Sequence, residues 1–437
     1  STSSIELRRS IAPWLGDEGP APSLPTQNTE ERSFEGHPEF SLPPVDGGKD
    51  AWLFLFASFF LEALVWARFQ LTHKQGIMYL AFPIAVALQR LYPRLARWAP
   101  TFGIVALGVV LVASSFCQNV GQLILTQGVL YALAGSFAYC PCLAWLEEWF
   151  IQRKGLAFGI MWSGTGIGGV VIPLVLESLL QKFGFRIALR IWAISVIILS
   201  TPAFFFVKPR IPASSIGATR LHLKLGFIYN KTFVLYQIAS IVESLGYFLP
   251  AIYMPNYARS ILHTSPFLST VTVIIFNASM SLGILLMGLM MDTWHITTCI
   301  FISTVGAVLA TFLLWGFSSQ LAVLYLFCFF YGLFAGAYGA TFVGMSRHIV
   351  STSTLRDSSS GSASFDPALV TGFLIAGRGV GNIASGPLSE ALFKLSRTQS
   401  SMIWGLGGYR PVIVFTGLTA LGGGASFVWK RLGWLQQ

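Results

Sequence analysis

The stretch Gly164-Thr165-Gly166-Ile167-Gly168 returns 213 residues later as Gly377-Arg378-Gly379-Val380-Gly381. The same offset lays Glu177-Ser178-Leu179-Leu180 onto Glu390-Ala391-Leu392-Phe393. Both copies sit inside apolar runs far longer than a strand, so helices repeat here, not loops. A looser match places Ala57-Ser58 and Glu62 beside Ala239-Ser240 and Glu243. The chain therefore reads as two halves on one plan. The first copy continues into Gly169 and so matches the dinucleotide fingerprint GxGxxG. That fingerprint needs a strand before it and a helix opening on it, and neither fits mid-helix, so the match is spurious. Close helix packing explains the glycines better: Gly164 and Gly168, like Gly377 and Gly381, have the GxxxG spacing that lets backbones approach. They suggest a sliding seam, and Pro173 further along is expected to bend its helix.

Composition widens the argument from the repeat to the chain. Of 437 residues, 54% are hydrophobic, 14% aromatic and only 11% charged, and mean hydropathy is +0.66. An ordinary soluble protein carries about 25% charge, so this chain cannot clothe a water-facing surface. Apolar runs recur from Ala51 to Trp429 at lengths suited to a hydrocarbon core about 30 Å thick. A multi-pass membrane protein is expected. The net charge of +10 is then orientation charge in loops rather than a nucleic-acid footprint, and no nucleic-acid partner is expected. The five cysteines all lie in apolar runs and read as packing residues, with no metal site and no cofactor. The first 50 residues are polar and rich in Pro, Ser and Glu, which predicts a disordered tail without a cleavable leader.

Divided at charges, Pro and Gly, the apolar runs give helices over 51–67, 76–88, 101–117, 123–146, 155–180 and 187–207, then 232–253, 267–291, 296–317, 321–345, 368–393 and 411–429. That is an all-α membrane fold of two six-helix bundles, 51–207 and 232–429, joined by a basic linker over 208–231, with 430–437 as a short tail. Lys and Arg favour the side of the N-terminus by roughly two to one, which places both termini in the cytoplasm. The first hairpin does not fit well. A run of 13 apolar residues over 76–88 spans only about 20 Å. Glu62 lies 102 residues before Gly164, yet Glu243 lies 134 before Gly377. Residues are expected to be missing around 68–76, by deletion or by an error in the gene model; the alternative is one irregular span over 51–88, which leaves eleven crossings.

Six plus six helices in parallel repeats is the plan of the major facilitator superfamily, in which two bundles rock about a site near the bilayer midplane. Within it, Trp149-Phe150-Ile151-Gln152-Arg153-Lys154-Gly155-Leu156-Ala157-Phe158-Gly159 resembles the helix 4–5 signature of the monocarboxylate transporter family, and Asp46-Gly47-Gly48 resembles its other signature. The wording from Gly76-Ile77-Met78-Tyr79-Leu80 to Glu390 is similar to the fungal branch. The resemblance implies a secondary transporter, not an enzyme, that moves a small organic solute with protons by alternating access. A carboxylate-bearing compound or secondary metabolite is implied, with export favoured. Uptake of monocarboxylates or riboflavin-like nutrients, or a non-transporting sensor, are the alternatives. The expected form is a monomer in the cell membrane. The animal carriers' helix 1 lysine is replaced by Glu62, and their helix 8 Asp/Arg pair is missing, with only Asn277 at that depth.

Charges at mid-membrane are costly and so invite functional hypotheses. Arg378 suits a carboxylate, either a solute's or a glutamate's. Glu62 and Glu243, each about eleven residues into its helix, are candidates for proton coupling and solute contact. Asn277, Tyr139 and Tyr331, with Gln237 and Tyr338, are candidate cavity polar groups. Arg90, Arg94, Arg97, Arg153 and Lys154, with Glu147 and Glu148, are candidate gating charges on the cytoplasmic side. Glu177 and Glu390 are expected at the outer interface, and 351–364 as a Ser-rich loop.

Overall fold

A computed structural model describes residues 42–66, 72–211, 223–357, 365–396 and 404–435. The regular elements among them are all helical. They form twelve rods: α1 (Gly48–Trp66), α2 (Thr72–Leu91), α3 (Ala99–Ser114) and α4 (Val120–Trp149). The helical run Lys154–Phe206 breaks at Gly184, whose φ of 71° needs a glycine, and so divides into α5 (154–183) and α6 (185–206). After the linker come α7 (Lys231–Ser260), α8 (Pro266–Thr293), α9 (Ile296–Trp315), α10 (Leu321–Ser353), α11 (Pro367–Ser396) and α12 (Arg410–Arg431). Among the described residues, eight helical runs, the broken one counted once, are long and apolar enough to cross a membrane.

Large apolar side chains stay exposed along the outer faces, Phe102, Val109, Ile194 and Ile198 among them. Water would not tolerate so continuous an apolar coat, and lipid tails would cover it. The inner faces hold the core, with Trp149, Trp315, Tyr131 and Tyr257 wholly buried.

Several boundaries differ from the sequence expectation. The tail over 1–50 lies outside the described residues up to 41, and α1 already begins at Gly48. The linker over 208–231 is described only at its two ends. The Ser-rich stretch 351–364 is not all loop, because α10 continues past Ser351. Likewise α12 carries the helix on to Arg431.

The first hairpin needs a larger correction. α2 starts four residues before the apolar run and has 20 residues, about 30 Å, which is a full hydrocarbon span. Its extra turn is polar, yet Lys74 and Gln75 are buried, and the Lys74 ammonium sits 3.5 Å from the Tyr131 ring centroid. A hydropathy reading stops at such residues, whereas the fold shelters them. α1 is described to four residues after Glu62, whereas α7 continues for seventeen after Glu243. Residues 67–71, where part of the expected loss would fall, lie outside the described residues.

The glycine faces also act differently from expectation. Gly164 packs on α1, where an added Cβ would come within 2.5 Å of the Phe59 carbonyl oxygen. Gly377 and Gly381 abut Gln237 and Ser244 of α7. These faces therefore pack inside each half. The contact between halves uses the offset glycines: Gly166 and Gly169 meet Ser281 and Asn277 of α8, and Gly379 meets the Gly76 carbonyl of α2. Gly168 is buried. Pro173 sits within α5 with no break in helical geometry there.

Candidate functional site

A central cavity of about 420 Å³ lies where the two halves meet. Its wall is mostly apolar and rich in aromatic rings, with Trp66, Tyr79, Trp162, Tyr247 and Phe276 prominent. A few polar groups converge among the rings: Glu62, Gln75, Thr165, Asn277 and Arg378. Apolar walls with a small number of placed polar groups are the usual form of a small-molecule site.

The internal repeat builds the centre of this site. The offset that aligns the two glycine stretches puts Thr165 at the place of Arg378. Each faces the glutamate of its own half. Thr165 donates its hydroxyl to Glu62 Oε1 at 2.5 Å. Arg378 Nη1 donates to Glu243 Oε2 at 3.1 Å. One helix pair, α1 with α5 or α7 with α11, thus presents a carboxyl to a partner in both halves. Only the second partner is charged. The Arg378 guanidinium also lies over the Tyr247 ring at 4.2 Å, a stacking arrangement that arginine tolerates well.

Not every expected site residue reaches the cavity. Glu62, Asn277, Tyr139 and Arg378 line it, as does Glu177, expected only at the interface. Asn277 spends its amide on the Val273 carbonyl at 2.9 Å. Glu243 and Tyr331 do not line it: both border a smaller chamber behind. The Tyr331 hydroxyl donates to the Tyr247 carbonyl at 3.1 Å, a tie between helices. Gln237 donates to the Phe373 carbonyl and Tyr338 to the Gly423 carbonyl. Glu390 is exposed and pairs with Lys394 one turn on.

At the end of the bundle where α1 begins, the halves are clamped twice. Arg90, closing α2, holds Asp366, just before α11, through two bonds of 2.7 and 3.2 Å. Asp292, closing α8, accepts the backbone N–H groups of Gly155 and Leu156 at 2.7 and 2.8 Å. A carboxylate at a helix N-terminus satisfies orphan donors and the helix dipole together. Arg347 lies 3.7 Å from the same aspartate. The remaining expected gating charges make no ion pair with the second half among the described residues. Lys154 pairs with Glu147 at 3.2 Å. Glu148 accepts from the backbone of Arg210 and Ile211 instead of pairing with the basic cluster. Arg94 is exposed and enters no ion pair among the described residues, while Arg97 lies near the Trp98 ring. Arg153 donates its backbone N–H to Asp46.

Asp46 caps the α4–α5 turn, accepting from Ile151, Gln152 and Arg153 at 2.9–3.0 Å. Burial by itself raises its pKa, but those backbone donors and the Arg153 charge outweigh it and hold the carboxyl below its usual value. Sequence reasoning missed the clamp residues Asp292, in the last turn of α8, and Asp366, just before α11, because no local pattern surrounds either. Thr165 was findable, since the repeat lays it on Arg378.

Comparisons with known proteins agree with this architecture. The sequence profile of the Major Facilitator Superfamily matches residues 76–365. The chain is 24% identical to MFS transporter asaE of Aspergillus flavus, over 97% of this chain and 95% of that protein. It is 32% identical to MFS-type transporter pytF of Aspergillus terreus over 41% of this chain, and 29% identical to the fujikurins efflux protein of Gibberella fujikuroi over 40%. Those two matches span only 60% and 37% of the relatives' own lengths. Among solved structures, the human organic anion transporter MFSD10 (TETRAN) superposes with a TM-score of 0.58 at 12% identity, covering 85% of this chain and 83% of that one. At that identity the likeness speaks for the fold alone.

Proposed function

The chain belongs to the Major Facilitator Superfamily, and on that premise we propose that it is a proton-coupled exporter of an amphipathic organic acid, in the fungal monocarboxylate-transporter-like branch. In this reading residues 51–207 and 232–429 are the two rocking bundles, twelve helices cross the cell membrane, and the protein acts as a monomer with both termini in the cytoplasm. The Arg90–Asp366 and Asp292–α5 clamps then close the cytoplasmic side. The cavity reaches from mid-membrane to Glu177 and Leu180 near the outer end of α5, so this conformation faces outward.

One observation carries the proposal. Two repeat-related glutamates have unequal partners, and the one without a cation, Glu62, faces the cavity. A carboxyl with neutral hydroxyls and no cation beside it can take up and release a proton as water reaches it from alternate sides. Arg378 supplies the fixed positive charge for an anionic solute, and the aromatic wall accepts its apolar body. One relative of this chain, the fujikurins efflux protein, is an exporter by name, which supports export as the direction.

The test is flux in proteoliposomes carrying an internal pH dye, challenged with a panel of aromatic carboxylic acids. The expected result is proton movement coupled to acid transport in the native protein. Glu62→Gln should retain solute counterflow and lose acceleration by a pH gradient. A Glu62→Gln protein that still accumulates acid against its gradient on a pH difference refutes the assignment.

A further inference from the structure

A second, much smaller chamber of about 10 Å³ lies among α7, α9, α10 and α12. Glu243 lines it and does not line the cavity, whereas Arg378 lines the cavity and not the chamber. The ion pair therefore stands between the two spaces. Every residue bordering the chamber is less than a tenth exposed. Three of its hydroxyls are committed to backbone carbonyls: Ser303 to Phe334, Tyr331 to Tyr247 and Tyr338 to Gly423. Two are not. Thr304 Oγ1 and Thr416 Oγ1 are buried with no hydrogen-bond partner, and both threonines border the chamber beside Glu243.

Two unpaired buried hydroxyls next to a carboxylate are unfavourable unless something joins them. A volume of about 10 Å³ matches one water, which needs two to four polar partners. A cation fits less well, because Arg378 already balances the Glu243 charge at 3.1 Å, and a further positive charge would be buried without compensation.

We propose that this chamber is a one-water site that gives Glu243 a second set of donors, Thr304 and Thr416 acting through the water, so that Arg378 can turn to the carboxylate of a bound solute. The idea rests on the anion-transport reading above. A buried carboxylate stripped of its only cation is strongly unfavourable. With donors behind it, the glutamate stays hydrogen-bonded while the guanidinium moves toward the cavity. Thr304 and Thr416 are then positioning residues, which set how readily Arg378 is released without touching the solute.

Two measurements test this. An experimental map of the protein in lipid nanodiscs, good enough to show ordered waters, should place one within reach of Glu243, Thr304 and Thr416. Side chains collapsed onto one another with no density between them overturn the proposal. The second uses the fluorescent acid 1-pyrenebutyrate and its uncharged methyl ester as binding probes. The isosteric double variant Thr304→Val/Thr416→Val should weaken acid binding roughly tenfold, the scale of a hydrogen bond to a charged group, and leave the ester unchanged. Equal losses for acid and ester, or no loss for either, overturn it. Arg378→Ala separates the two ideas. If it abolishes the acid preference and the valine pair does not, the chamber role fails and the anion reading stands. If the acid preference survives even Arg378→Ala, the anion reading itself fails.

Discussion

Glu62 and Glu243 hold corresponding places in the two halves and differ by one neighbour. Thr165 beside Glu62 is neutral, and Arg378 beside Glu243 is not. Thr165→Val removes the hydroxyl that donates to Glu62 Oε1, while Oε2 has no hydrogen-bond partner. We expect it to destabilise the fold by about 1–3 kcal/mol, the penalty of an unsatisfied buried polar group. Thermal unfolding in detergent measures this, and a midpoint equal to the native one counts against the bond. Breaking the charged pair should cost more. Arg378→Ala strands Glu243 in a buried site, a loss of about 3–5 kcal/mol where such pairs are cut on one side. Adding Glu243→Gln to Arg378→Ala should restore part of that loss, since no lone charge remains. Asp46, outside the membrane, responds to pH. Its folded pKa is depressed, so its stabilisation is complete above the unfolded value of about 3.9. It fades as pH falls further, through the lower folded value. Hydrogen exchange of the 151–153 amides should therefore quicken only in that acidic window, and at neutral pH in Asp46→Asn. Unchanged exchange in Asp46→Asn at neutral pH would falsify the cap.

At the scale of elements, glycines decide which helices touch. Gly155 and Gly288 face each other where α5 meets α8, and a Cβ on either would come within 2.5 Å of the other's carbonyl oxygen. Backbone cannot yield there as a flexible side chain can. Gly155→Ala should therefore oppose closure of that end by about 1–3 kcal/mol, the usual range for overpacking. The readout is labelling of a cysteine placed near Phe158, which should become reactive from that end, and continued protection would count against close packing as the seal. α10 holds a different device. Its helix tightens to 3-10 geometry over Gly336–Ala340, and Gly336, Gly339 and Ala340 all line the cavity. A mid-helix stretch of this kind is a common place for bending, and here it lies at the depth of Arg378.

For the whole molecule, the two clamps are related by the same repeat. The end of α2 grips the start of α11, and the end of α8 grips the start of α5. One grip is a forked arginine on a carboxylate, the other a carboxylate on backbone amides. Removing either should shift the population toward the opposite-facing state without unfolding the protein. Arg90→Ala leaves Asp366 an N–H partner at Ala368, so folding should survive. We predict increased access to the cavity from the α1 end in Arg90→Ala, and a larger increase when Asp292→Asn is added. Double electron–electron resonance across that end reads the shift, and unchanged distances in the double variant would show that the clamps do not set the balance.

The repeat at 164–168 and 377–381, the apolar runs and the sparse charge together made the superfamily fold legible, because a bilayer imposes helices and a fixed length on any chain crossing it. The mid-membrane charges were equally legible, since each is too costly to be idle. Their partners were not. That Glu243 turns away from the cavity, that Thr165 answers Arg378, and that Asp292 and Asp366 tie the halves together depend on contacts across 103 to 276 residues of sequence. No local pattern encodes such contacts. Hydropathy also truncated α2 at Lys74 and Gln75, because a polar residue sheltered by neighbouring helices looks, in one dimension, like the end of a span. Burial is a property of the packed bundle, and only the tertiary structure could assign it.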